Sequence, residues 1–230
     1  MMDIQILQLI EGARQATGIA VIIDVFRAFT VECYLTQNGA NKLYAVGSKE
    51  LAYAFRDKDP GCILIGEREG VKLPGFDHGN SPSEVENVNF SGKTVVHTTS
   101  AGTQGVDNAV NADEIITGSL ANARAVAQYI RRGKYEHVSL VCMGLGGKEP
   151  TDEDTLCARY IKSLLEGTEI DLQNEMYRLR YTSGAKFFDK EKQNVFPEAD
   201  FHLCCKNDLF PFVLRAEKQG NVYLMKRIDV

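Results

Sequence analysis

Acids and bases in this chain gather in a few short segments that follow apolar runs. The densest, Gly66 to Glu84, carries Glu67, Arg68, Glu69, Lys72, Asp77 and His78 among four glycines and two prolines. Proline removes backbone donors and glycine weakens regular elements, so this segment reads as a loop. It follows Cys62-Ile-Leu-Ile65, a short apolar run with the character of a buried strand. A long charged loop after a strand is where open α/β sheets place ligand sites, and a plain solvated loop is the alternative. Asp24 ends the apolar run Ile19 to Ile23. A buried carboxylate there needs a partner or a metal, unless it only caps the following helix. Arg27 falls in that helix's first turn, where the macrodipole disfavours a cation, so an anion or carboxylate is expected beside it.

Two strand-to-helix turns carry hydroxyls. In Thr98-Thr-Ser-Ala-Gly-Thr103, the side chains of Thr98, Thr99, Ser100 and Thr103 surround Gly102. Hydroxyls and free helix N–H groups together make a phosphate cradle, although simple capping explains the same residues. Gly118-Ser-Leu-Ala-Asn-Ala123 favours capping, with Arg124 beside it as a further anion contact. Thr151-Asp-Glu-Asp154 opens a helix whose apolar residues are Leu156, Cys157, Tyr160, Ile161, Leu164 and Leu165. At about 100° per residue, Glu153 falls inside that apolar stripe, Asp154 at its edge and Asp152 toward solvent. The macrodipole accounts for Asp152 but not for an inward acid, so Glu153 and Asp154 are candidate ligands.

Several familiar motifs nearly fit and fail on physical grounds. Gly144-Leu-Gly-Gly-Lys-Glu149 has Glu where a dinucleotide fingerprint needs its last Gly, and it lacks the first Gly of a Walker loop. Asp24-Val-Phe26 lacks the second acid of an aspartyl-nucleophile phosphatase. Cys62 to Arg68 matches a CX5R pattern, but an extended run at about 3.3 Å per residue would hold the two ends nearly 20 Å apart.

Strand-like runs alternate with helical ones from Ile4 to Glu166. Strands are expected at 4–9, 19–24, 42–46, 62–65, 94–97, 114–117 and 138–142. Helices are expected at 27–37, 49–56, 102–110, 121–132, 151–166 and 172–181. Thr182 to Ala199 is polar and irregular, a candidate flap. Phe201 to Cys205, Phe212 to Arg215 and Val222 to Ile228 read as strands, the last two as an antiparallel pair. The pattern predicts one α/β domain over residues 1–230, layered α/β/α, with a mostly parallel (mixed) sheet and a short antiparallel C-terminal part.

The 230 residues are 44% hydrophobic and 25% charged, enough to bury a core, with a net charge of −5. That charge argues against nucleic acid as a partner. No window is apolar enough for a membrane span and the N-terminus lacks a leader's basic region, so a cytoplasmic location is expected. Six cysteines show no paired metal or redox spacing and read as small core residues.

Taken together, Ile23-Asp-Val-Phe-Arg-Ala28, Gly66-Glu-Arg68 and Pro74-Gly-Phe-Asp-His-Gly-Asn-Ser-Pro82 resemble the 2-phosphosulfolactate phosphatase family. Thr98 to Thr103, Gly118 to Ala123, Val141 to Gly146, Glu153-Asp154, Ala158 and Tyr181 to Ala185 continue the likeness. Asp200, Cys205, Asp208 and Pro211 carry it to nearly the whole chain. The resemblance implies a magnesium-dependent phosphatase of the coenzyme M pathway type, converting 2-phospho-3-sulfolactate to 3-sulfolactate and phosphate. Phe29 stands where the family usually has Thr, and Glu69 where it usually has Gly. Both would reduce tolerance for a multiply anionic substrate.

Phosphate monoesters hydrolyse very slowly unaided, and with no nucleophile motif a metal-activated water is the economical route. An all-oxygen ligand set suits Mg2+ rather than zinc. On this reading Asp24, Glu67, Glu153 and Asp154 hold the metal. Asp24, Arg27, Glu67, Asp77 and His78 form the catalytic set, with Asp77 or His78 protonating the leaving alkoxide. Arg68, Lys72, Asn80, Ser81, Thr98, Thr99, Ser100, Gly102 and Thr103 bind the small anionic phosphorylated substrate. A non-catalytic anion-binding protein that keeps the cradle is the alternative, and a homo-oligomer is left open. Because the CX5R match lies on a strand, Cys62→Ser should leave turnover within about twofold of wild type. A loss of several orders of magnitude in a folded variant would reinstate a cysteine nucleophile.

Overall fold

The computed structural model describes residues 2–230. Its sheet is built from β1 (Asp3–Gln8), β2 (Ile19–Ile23), β3 (Lys42–Ala45), β4 (Ile63–Arg68), β5 (Val71–Lys72), β6 (Thr94–Thr98), β7 (Glu114–Gly118), β8 (His137–Cys142), β9 (Phe212–Gln219) and β10 (Val222–Asp229). The helices are α1 (Leu9–Gln15), α2 (Ala28–Gln37), α3 (Lys49–Lys58), α4 (Pro82–Val85), α5 (Gly102–Asn108), α6 (Ala123–Gly133), α7 (Asp152–Glu166), α8 (Leu172–Leu179) and α9 (Glu198–Cys204).

The strand order is β1-β8-β2-β7-β9-β10-β3-β6-β4-β5. Two parallel blocks, β1-β8-β2-β7 and β3-β6-β4, flank the antiparallel hairpin β9–β10. The hairpin joins the blocks through two-residue pairings on each side, Ile116↔Arg215 with Thr117↔Leu214, and Tyr223↔Ala45 with Leu224↔Tyr44. The antiparallel part thus sits inside the sheet rather than at its end.

Burial on both faces follows from alternation along each strand. In β2, Ala20 and Ile22 pack on the face covered by α1, α2 and α5, while Ile19, Val21 and Ile23 pack on the face covered by α6, α7 and α8. Val95 and Val96 of β6 divide in the same way, Val96 joining Ala52, Cys62 and Leu64 under α3. Gly66 ends the regular part of β4 at φ +153, where an added Cβ would lie 2.1 Å from the Thr98 carbonyl oxygen. Only glycine lets the two strands approach so closely beside the charged loop.

The structure corrects one element and adds several. The apolar run at Phe201 to Cys205 belongs to α9, not to a strand. Helix α1 replaces an expected loop, and β5 and α4 fall inside the Gly66–Glu84 segment. The irregular segment after Thr182 holds only two short 3-10 turns, Ala185–Phe188 and Lys190–Lys192. Cys62 is buried just ahead of β4, and burial pushes its thiol pKa upward.

Candidate active site

The carboxyl ends of β2, β3, β4, β6 and β8 open into one cleft of about 1000 Å³. Asp24, Arg27, Glu67, Arg68, Asn80 and Ser100 line it, as do the glycine-rich loop Gly144–Gly146 with Lys148 and Glu149. Lys186, Lys192 and Phe196 of the irregular segment form its other wall.

Asp24 lies beyond the last residue of β2, and its Oδ1 accepts from Ala28 N–H at 3.1 Å. That contact is the capping role expected of it, and it leaves Oδ2 facing Gly102 at the cleft. Burial raises the Asp24 pKa to about 6; the Ala28 N–H opposes this, the charges of Glu67 and Glu153 add to it, and His97 lowers it. Glu153 and Asp154 are buried at the start of α7 and Asp152 is exposed, as the helical phase requires. Burial raises the pKa of both inward acids. For Asp154 the charges of Glu153 and Asp24 add to the rise.

The four acids proposed as ligands differ in what they have left to give. Asp154 accepts from Val25 N–H and Gly144 N–H, both at 2.8 Å, and clamps the loops after β2 and β8 together. Glu67 accepts from Ser100 N–H at 2.7 Å, Ser100 Oγ–H at 3.0 Å and Gly70 N–H at 2.6 Å. Each oxygen of both carboxylates therefore already accepts from a donor in the surrounding loops. Glu153 Oε2 and the buried hydroxyls of Thr151 and Ser183 meet no partner at strict hydrogen-bond geometry, yet both hydroxyls lie close enough to the carboxylate to oppose the rise in its pKa, as does the charge of Lys186. An orphaned buried carboxylate oxygen is rare and points to an ion or water as its partner. Among the described residues, no three His, Cys, Asp or Glu side chains converge as a ready metal cage.

Arg27 is almost fully buried and donates through one guanidinium nitrogen to Asp200 and to the Val195 carbonyl, both at 2.8 Å. Asp200 also accepts from Ser81 Oγ–H at 2.8 Å, Ser83 N–H at 3.0 Å and Ser83 Oγ–H at 2.7 Å. The guanidinium lies 5.0 Å from the Phe196 ring centroid, and Lys186 Nζ lies 5.2 Å from the same ring. Arg68 donates to its neighbour's carbonyl, Glu67 O, and to Thr98 Oγ1 at 3.0 Å.

Other expected residues lie elsewhere. Asp77 pairs with Arg56 of α3 and accepts from Leu64 N–H at 2.7 Å, outside the cleft. His78 packs its ring on Phe90 and sits 3.9 Å from Glu84. Lys72 is exposed on β5 and lines no part of the cleft. Thr99 and Thr103 are buried and bond each other, closing the turn after β6, so of the expected cradle hydroxyls only Ser100 lines the cleft. Ser81 serves Asp200, and Gly102 admits Asp24 Oδ2 by lacking a Cβ. Asn122 Oδ1 accepts from Ser119 N–H at 2.9 Å, the capping role favoured for that turn. Arg124 is held by Asp208 and Tyr160, away from the site. Phe29 is fully buried, whereas Glu69 does line the cleft. Sequence reasoning missed Lys186, Lys192 and Phe196, because an irregular polar segment has no periodicity to reveal direction.

The raised carboxylates make stability depend on pH with a definite sign. Asp24 is penalised only when charged, so its destabilisation is absent below 3.8 and complete above about 6. The penalty amounts to about 3 kcal/mol at neutral pH. With metal removed by chelator, Asp24→Asn should melt higher than wild type at about pH 7, and the gain should vanish near about pH 4. Glu153→Gln should behave in the same direction. Equal melting temperatures at neutral pH would show that the charge is already compensated within the protein.

The 2-phosphosulpholactate phosphatase family matches residues 4–219. The chain is 32% identical over 216 residues to a probable 2-phosphosulfolactate phosphatase of Bacillus subtilis (strain 168), covering 92% of each protein. A probable 2-phosphosulfolactate phosphatase of Carboxydothermus hydrogenoformans is 38% identical over 179 residues, 76% of this chain and 73% of the relative. One from Clostridium perfringens (strain SM101) is 32% identical over 219 residues, 89% of this chain and 87% of the relative. With a match of this extent, the chain belongs to the 2-phosphosulpholactate phosphatase family.

Proposed function

We propose that the chain is a magnesium-dependent phosphatase whose substrate is a small phosphorylated hydroxy acid of the 2-phosphosulfolactate type. The observation that carries the metal part is a pair of buried acids: Asp24, whose Oδ2 takes no hydrogen bond and which lines the cleft, and Glu153, which is not part of that lining but lies close enough for its charge to raise the Asp24 pKa. Magnesium keeps several waters and needs only one or two carboxylates, so this pair fits it without a complete protein cage. Asp24 and Glu153 would hold the ion, while Asp154 and Glu67 fix the loops that place them. The bound ion would supply positive charge to the phosphoryl oxygens and lower the pKa of an attacking water.

The remaining work falls to the chain's own side chains. Arg27 cannot swing away, because Asp200 and the Val195 carbonyl hold one edge of its guanidinium. Its other donors can meet a phosphate oxygen with little reorganisation, which is how fixed charge stabilises a transition state. Arg68 is tethered in the same manner through Thr98. Lys186 and Lys192, on the opposite wall, suit the acid group of the substrate. Glu69 lines the cleft and opposes excess negative charge there, which discriminates among anionic substrates. Asp77 and His78 lie outside the cleft and take no part in leaving-group protonation.

Phosphate release from a panel of phosphorylated hydroxy acids tests this directly. Turnover should vanish in chelator and return with magnesium better than with zinc. Glu153→Gln should lower magnesium-dependent turnover at least about tenfold, while Asp152→Asn, on the exposed side of α7, stays within about twofold. Undiminished turnover after thorough metal removal would take the ion out of the mechanism. Phosphate binding without any turnover would leave only an anion-binding protein.

A further inference from the structure

One buried titratable cluster behind the cleft has no part in the chemistry described so far. His97 sits near the end of β6 and Glu32 in the middle of α2, both fully buried. His97 Nδ1 lies 3.0 Å from Glu32 Oε1, and its Nε2 lies 3.3 Å from Asn80 Oδ1. Asn80 in turn lines the cleft. Three residues from three separate segments thus form a line that runs from the core to the site.

We propose that His97, held by Glu32, is a positioning residue that turns the Asn80 carboxamide so that its NH2 group faces the anion in the cleft. The proposal rests on the phosphatase reading, since it names what orients one of that site's binding groups. Glu32 Oε1 faces one ring nitrogen and Asn80 Oδ1 the other; both are acceptors, so on this proposal both ring nitrogens donate. Within the chain Glu32 Oε1 is met by His97 and Oε2 by nothing, so the ring is the one group that offsets this buried acid. With Oδ1 occupied by His97, the Asn80 Nδ2 makes no hydrogen bond within the chain and reaches the cleft surface. The opposite carboxamide orientation would need a neutral ring accepting at Nε2. It would present a carbonyl oxygen to an anion, which repels it.

A purely structural pair would stabilise the fold without coupling to ligand. A positioning pair must act through Asn80. Calorimetric titration with inorganic phosphate, in magnesium buffer, separates these for wild type, Glu32→Gln, Asn80→Ala and the double variant. Each single change should weaken phosphate binding at least about tenfold, and the double should be within about twofold of Asn80→Ala alone. Losses that multiply would overturn the proposal. Asn80→Asp keeps an acceptor for His97 but replaces the NH2 group by a charged oxygen. It should bind phosphate more weakly than Asn80→Ala, and binding equal to wild type would also overturn it. Nitrogen-15 spectra of wild type need no variant to fold. They should show protons on both His97 ring nitrogens at neutral pH, and a singly protonated ring sinks the idea. Failure of wild type to bind phosphate would instead remove the phosphatase reading and this inference with it. Tight wild-type binding with independent losses removes this inference alone.

Discussion

Mutual repulsion among acids is the constraint around which this structure is arranged. Asp24, Glu67, Glu153 and Asp154 lie at the carboxyl edge of the sheet, where the charges of Glu67 and Glu153 raise the Asp24 pKa and those of Glu153 and Asp24 raise the Asp154 pKa. Buried like charges are tolerated only when donors or cations offset them. The chain offsets two with its own backbone: Val25 and Gly144 N–H groups on Asp154, Ser100 and Gly70 N–H groups on Glu67. These bonds also tie the loops after β2 and β8 to each other, and separately those after β4 and β6. Asp24 and Glu153 keep an oxygen free, so the deficit of positive charge is concentrated at one place. On the proposed reading a divalent cation fills that deficit.

The opposite wall depends on a second buried charge pair. Asp200 anchors Arg27 and gathers Ser81 and Ser83, which ties α9 to the Asn80–Ser83 turn and to the residue before α2. Val195 and Phe196 attach the irregular segment to the same arginine. Breaking one partner of such a pair leaves an uncompensated charge in the core. The interactions that hold the segment against the sheet therefore also immobilise the Arg27 guanidinium at the cleft. A net charge of −5 does not prevent anion binding when the local cations are fixed at the bottom of a cleft.

Much of this was legible in the sequence, and what was not has physical causes. The parallel blocks follow from apolar runs alternating with amphipathic helices. The inward face of Glu153 and Asp154 follows from helical phase, and an anionic partner for Arg27 from its place in a first turn. Strand order is another matter, because nothing in the local pattern of β9 and β10 says that they lie between the two blocks. The five residues Phe201 to Cys205 are too short an apolar run to distinguish helix from strand, and helix won through packing of Phe201 and Cys204 on the α8 side. Asp77 and His78 show that loop composition reveals charge density but not direction: an arginine of α3, 21 residues away in sequence, captures Asp77. Thr99 and Thr103 were read as ligand groups but satisfy each other, as hydroxyls at helix starts commonly do. His97 carries no such signal in the sequence, because its partners are 65 and 17 positions away.

The central claim is that the raised acids Asp24 and Glu153 exist to receive a divalent cation. Magnesium titration by calorimetry, repeated in buffers of different ionisation enthalpy, measures both binding and the protons it displaces. Asp24, with its pKa at about 6, is partly protonated near that pH and must lose its proton to bind metal. Net proton release should therefore be substantial near about pH 6 and fade toward about pH 8. Magnesium binding with no proton release at any pH, or no binding at all, would contradict the account.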